Sequence, residues 1–301
     1  MDREYLQLFM QKTEFPLEAQ ESILTDFNVV NKKCQEEFKL IFNKFKELDF
    51  VTRELVEPVI ELSKKTKVNE YALWLLLVVA ASKEAMQEFI KKGANEQIFW
   101  DTFTDLRYKL LECKNTKGVW GTFVAHWYRK LLLANVIKLG RLEFETRTFV
   151  FEEPYIFGDI TLEGEVDVKS VHIPSAPEKF DFDARLDSYK KAYKFFMGSE
   201  KGKPMVFVCH SWLLFTPYKQ ILSPTSNIVD FMGDFDIIKI EETQRFGDAW
   251  RIFGADAEKE PQNLPEKTSL QRAFKEYLVQ GNNAGQGIGV IIFDGEKILN
   301  K

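Results

Sequence analysis

Between Glu165 and Leu214 the chain reads EVDVKSVHI (165–173), DFDARLDSYKKAYKFFM (181–197) and PMVFVCHSWLL (204–214). The outer stretches have the apolar content and length of strands. The middle one sets Leu186, Tyr189, Tyr193 and Phe196 on one helical face, with Gly198 to stop it. A strand–helix–strand unit crosses over right-handed and makes its strands parallel, so both C-terminal ends meet one edge of the sheet. Open α/β sheets place their ligands there. His172 falls near the end of the first strand and His210 in the later part of the second, two of the chain's three histidines. Imidazoles in that crevice suit acid–base chemistry near neutral pH, while the competing reading gives each only a local hydrogen bond.

Outward from this unit the grammar stays mixed as far back as Gly140. RLEFETRTF (141–149) alternates as a strand. Downstream come a short helix near Asn227–Met232, strands at Ile237–Ile240 and Trp250–Phe253, a helix over Ser269–Val279, and a last strand over Gly289–Phe293. Upstream of Gly140 the periodicity is helical throughout. Pro16 opens one helix, and the run Tyr71–Phe89 is apolar nearly all round, as a central buried helix requires. The expectation is an α+β two-domain protein: an all-helical N-terminal domain of six or seven helices over 1–140, then a mixed α/β domain over 141–301.

Composition narrows the function. The 301 residues are 45% hydrophobic, with 27 Phe, enough for a large core that needs no disulfide or metal to hold it. Lys and Arg number 21 in residues 1–140 and 20 in 141–301, against 20 and 26 Asp and Glu, so the halves carry +1 and −6. That balance argues against nucleic acid held by its phosphates and against a membrane surface. Cys34, Cys113 and Cys209 are odd in number and widely spaced, which fits a reducing cytoplasm. The most apolar run is 11 residues (Tyr71–Ala81), too short to span a bilayer, and no metal site has credible ligand spacing.

Other candidates have a local explanation beside the chemical one. Cys209 next to His210 cannot form a thiol–imidazole pair, because adjacent strand residues point to opposite faces. It would need a histidine such as His172, and a buried apolar Cys is the simpler reading. Thr268 and Gln271 have capping-box spacing, whereas Arg272 has no capping role and suits an anion or, equally, a surface salt bridge. Ser226-Asn227 can cap the short helix. Gly281–Gly289 carries four glycines in nine residues and reads as a flexible connector more than a phosphate cradle. Glu143 and Glu145 share one face of their strand, either as an acid–base pair or as a solvated surface, the second being favoured.

Taken in order, Arg141-Leu-Glu-Phe-Glu145, Val171-His-Ile-Pro174, Cys209-His-Ser-Trp-Leu-Leu214, Ser226-Asn-Ile228 with Phe231, and Thr268-Ser-Leu-Gln-Arg272 resemble a two-domain bacterial acyltransferase-like family. Its members pair a helical N-acyltransferase N-terminal domain with a GNAT-like C-terminal domain. The resemblance covers nearly the whole chain. It implies a twisted mixed sheet splayed in the middle, acetyl-CoA or another acyl-CoA as co-substrate, no metal, and acyl transfer to an amine on a small molecule or a protein. Within that implication His210 or His172 is the general base, and Ser211 polarises the carbonyl or protonates the thiolate. Arg272 contacts the CoA phosphates, with Gln271 and Asn227 as further polar contacts. The wider superfamily's phosphate loop, Gln/Arg-x-x-Gly-x-Gly/Ala opening a helix, has its nearest counterpart in Gln280-Gly-Asn-Asn-Ala-Gly285, which leads into a strand. The alternative is a non-catalytic binding or scaffold protein that keeps the fold without CoA.

Overall fold

The computed structural model of the chain describes residues 2–47, 53–198 and 202–301. Two compact units divide it, residues 1–137 and 138–301.

Helix follows helix through the first unit because apolar residues recur every three or four positions and polar side chains stand at several of the starts. Among the described residues these are α1 (Arg3–Lys12), α2 (Leu17–Lys33), α3 (Gln35–Glu47), α4 (Arg53–Thr66), α5 (Glu70–Lys91), α6 (Glu96–Phe103), α7 (Asp105–Lys117) and α8 (Ala125–Leu132). Asp2 caps α1, Asn69 caps α5 and Asn95 caps α6. The count exceeds six or seven partly because the chain turns at Thr104, splitting an apolar run into α6 and α7. Helix α5 buries Leu73 through Val79 without a break and packs against α1, α2, α3, α4, α6 and α8. None of the described helices is long and apolar enough to cross a membrane.

The second unit is built on one six-stranded sheet: β1 (Val136–Leu139), β2 (Leu142–Phe157), β3 (Ile160–His172), β4 (Met205–Ser211), β5 (Asp236–Thr243) and β6 (Ala284–Phe293), in the order β1-β2-β3-β4-β6-β5. Strand β1 begins four residues before Gly140, where the sequence reads as helix. Ala134, at φ 49°, breaks the preceding turn, and Gly140, at φ 76°, swings the chain into β2. Helix α9 (Phe182–Met197), capped by Asp181, connects β3 to β4 as expected. Its Tyr189 packs on Phe144, Phe207 and Phe293 at ring separations of 6.5, 5.3 and 6.1 Å, closing one face of the sheet. On the other face Phe151, Leu162, Val168, Val208, Val290 and Ile292 form a second core. Helices α10 (Asn227–Met232) and α12 (Ser269–Val279) fall where the periodicity places them.

Two readings need correction. Trp250–Phe253 is a single helical turn, α11, and not a strand. The Phe253 amide donates to Ala249 O at 2.8 Å, Arg251 pairs with Asp248 three residues back, and Gly254 ends the turn. The glycine-rich segment is no flexible connector either, for β6 starts at Ala284. A Cβ on Gly287 would lie 2.2 Å from Leu214 O, and one on Gly285 would lie 2.4 Å from the Phe215 ring. The glycines are there so that the segment after β4 can lie directly on the β6 backbone.

Candidate active site

Parallel strands β3 and β4 are in register only at Lys169 with Phe207 and Ser170 with Val208. Both strands run on past that point, β3 to His172 and β4 to Ser211, with no further partners across the gap. On their outer sides each remains paired, β3 with β2 and β4 with β6. The sheet therefore splays between the C-terminal ends of its one parallel pair.

Strand alternation then decides which side chains share a face. Ser170 and Val208 are partners, so His172 and His210, each two residues further on, stand on that same face. Strand β2 brings Glu143 opposite His172 and Glu145 opposite Ser170, also on that face. The hydrogen bond forms on the diagonal: His172 Nε2 donates to Glu145 Oε2 at 2.9 Å. Glu143 and Glu145 are buried, 2% and 8% exposed, so they are no solvated strand face. An ionised carboxylate can only accept, so Glu145 fixes the proton on Nε2 and puts the imidazole's lone pair on Nδ1. In that tautomer Nδ1 is the basic nitrogen of the ring.

His210 is differently placed. It is exposed, pairs with Ile288 of β6, and lies near Glu241 of β5. The Glu241 carboxyl is held below its ordinary value first by the hydrogen bond and charge of Lys239, with a smaller contribution from His210. Ser211 points to the opposite face, and its Oγ accepts from Leu213 N at 3.2 Å, turning the chain into a 3-10 helix over Trp212–Leu214. Cys209 also faces away from His172 and is fully buried. Burial pushes its thiol far above the ordinary range, which removes the thiol-nucleophile reading.

The residues expected to hold CoA lie elsewhere. Gln271 completes a capping box with Thr268, and its Nε2 donates to Ile252 O at 2.9 Å, so its carboxamide is engaged at both ends. Arg272 donates to Glu266 O at 2.9 Å from an exposed position on the first turn of α12. Asn227 is the exposed first residue of α10, which Ser226 caps. The structure thus brings His172 and His210 to one face with Glu143 and Glu145, and groups none of the three CoA candidates with them by any recorded contact. What sequence reasoning missed was Glu145 as the partner of His172. The signal was its in-phase position on a strand that had to pair with 165–173. Among the described residues no three His, Cys, Asp or Glu side chains gather closely enough to hold a metal ion.

Comparison with known proteins agrees with this architecture. The family model described as a GNAT-like C-terminal domain matches residues 136–291, and that of an N-acyltransferase N-terminal domain matches 4–132. Among solved structures, an acyltransferase mutant in complex with octanoyl-CoA superposes with a TM-score of 0.75 at 16% identity, covering 97% of this chain and 89% of that one. An acyltransferase in complex with decanoyl-CoA and teicoplanin gives 0.72 at 17%, covering 95% and 87%. No curated protein sequence matches. At these identities the likeness is one of fold.

Proposed function

The chain belongs to the family with a GNAT-like C-terminal domain, preceded here by an N-acyltransferase N-terminal domain, and from that premise we propose that it moves an acyl group from an acyl-CoA thioester to an amine. The observation that carries the proposal is the splay between β3 and β4, with the His172–Glu145 pair beside it. Strand edges released from each other present backbone donors and acceptors, and the amides of an extended pantetheine arm can take them up as an added strand would.

In this reading His172 Nδ1 takes a proton from the attacking amine and Glu145 stabilises the imidazolium that results. The amine nitrogen bonds to the thioester carbon, the C–S bond breaks, and the thiolate leaves as CoA after accepting a proton. Ser211 keeps a hydroxyl proton to give, but from the face opposite His172, so it can serve the thiolate only from that side of the sheet. We assign the general-base role to His172 over His210 because only His172 has a buried carboxylate to hold it. The solved structures contain octanoyl-CoA and decanoyl-CoA, one of them with teicoplanin, which favours a medium-chain donor and a small-molecule amine acceptor.

One observation favours the non-catalytic reading. Helix α9, which carries the chain from β3 to β4, holds the carboxylates Asp181, as cap, and Asp183 at its N-terminus, where they oppose a diphosphate. Calorimetric titration with CoA, acetyl-CoA, octanoyl-CoA and decanoyl-CoA separates the two. Stoichiometric binding below about 100 μM, more than roughly 5.4 kcal/mol, supports transfer and is followed by a thiol-release assay with amine acceptors. Absence of heat to millimolar ligand rejects it.

A further inference from the structure

Within the helical unit a cavity of about 210 Å³ opens between α1, α2, α3 and α5. Its floor is Leu6, Phe27, Val30, Phe38 and Val79, all buried. A pocket with such a floor forfeits dispersion contacts there, so the floor favours an apolar occupant over water. A cavity of about 150 Å³ takes benzene, and this one has room for a chain of about six to eight carbons. The rim is charged. Lys83 is tied to Asp2, and Glu84 is tied to Lys46 at 2.9 Å, so these charges cancel in pairs. Lys39, exposed on α3 and also lining the cavity, is the lining cation with no carboxylate partner among the described residues. Its charge is available to an anion whose tail lies on the apolar floor.

We infer that this cavity is a second small-molecule site, for an apolar monocarboxylate of about six to eight carbons, with the chain among Phe27, Val30 and Phe38 and the carboxylate at Lys39. The inference stands independently of acyl transfer, since it uses residues of the helical unit alone.

Octanoate and 1-octanol, titrated calorimetrically into the full chain, test both halves of it. One-to-one octanoate binding with a Kd below about 1 mM is expected, with octanol about tenfold weaker. Lys39→Gln, a surface change that leaves the fold intact, should weaken octanoate about tenfold and leave octanol unchanged. Ala80→Phe fills the cavity from α5; it should raise Tm and abolish binding of both ligands. Three results overturn the inference: no saturable octanoate binding to about 10 mM, octanol binding as tightly as octanoate, or octanoate affinity unchanged in both variants. The last would place octanoate elsewhere on the chain.

Discussion

Asp234 and Glu145 are both carboxylates withdrawn from water in the C-terminal unit, but one faces a guanidinium and the other an imidazole. Asp234 receives Arg185 Nε at 2.6 Å and Nη2 at 3.0 Å, the Tyr189 hydroxyl at 3.2 Å and Lys301 Nζ at 3.3 Å. Arg185, with no exposed surface, also donates to Phe180 O and Asp230 and lies against the rings of Phe180 and Phe231. Burial pulls its pKa down, and the hydrogen bonds and charge of Asp234, with smaller contributions from Asp230 and Tyr189, more than reverse that. A guanidinium never gives up its proton in the working range, so this pair can only hold α9 against the α10 end of the unit. An imidazole is the side chain that acid–base chemistry uses near neutral pH, and a quarter of the His172 side chain is exposed. Under the proposed function, buried charge serves structure where the partner cannot titrate and chemistry where it can.

The largest expected effect breaks the first pair. Asp234→Ala leaves the Arg185 charge buried without its bidentate partner and should cost about 3–5 kcal/mol. Thermal unfolding should show it as a Tm loss of roughly 10 °C. A loss below about 1 kcal/mol would mean that the network does not lock the unit. Replacing both residues, as Arg185→Met with Asp234→Leu, should recover much of the loss, because no charge is then stranded.

Breaking the second pair should spare the fold and damage turnover. His172→Gln should lower kcat about 10²–10⁴-fold in a thiol-release assay, with Tm changed by only a few degrees. His210→Ala should cost less than about tenfold, and a larger loss would transfer the base role to it. Glu145→Gln sharpens the comparison further. Its carbonyl oxygen can still accept from His172 Nε2, while the charge that stabilises the imidazolium is gone. Turnover should drop about tenfold with little change in KM, whereas a purely structural role would lower Tm and leave kcat alone.

Fold and site were not equally legible. The β3–α9–β4 unit, Asp181–Gly198 with its cap and stop, and α12 with its capping box follow from contacts within one or two turns, and local spacing reports such contacts directly. What local pattern cannot report is pairing. Glu145 looks like a surface residue along its own strand and becomes the partner of His172 only through the β2–β3 register. The glycines of β6 were opaque for the same reason, since the neighbour that excludes a side chain at Gly287 is Leu214, more than seventy residues earlier. Four-residue β1 and α11 are too short for periodicity to declare them.

Asp26 extends the comparison to a carboxylate that has burial without a partner. It sits half-buried on α2, and the loss of hydration alone pushes it from 3.8 up to about 6. The folded state therefore holds a proton over a pH range in which the unfolded chain has released it. Stability is accordingly greatest below about pH 4 as far as this group is concerned, and falls as pH rises through about 6. Because the side chain keeps substantial contact with water, the loss is about 1 kcal/mol rather than the full value of the shift. Asp26→Asn removes the titration, so urea midpoints of variant and parent should nearly coincide at pH 4 and separate by pH 7 in the variant's favour. A parent at least as stable as the variant at pH 7 would show that Asp26 has a compensating interaction, which would place it with Asp234 and Glu145 instead of in contrast to them.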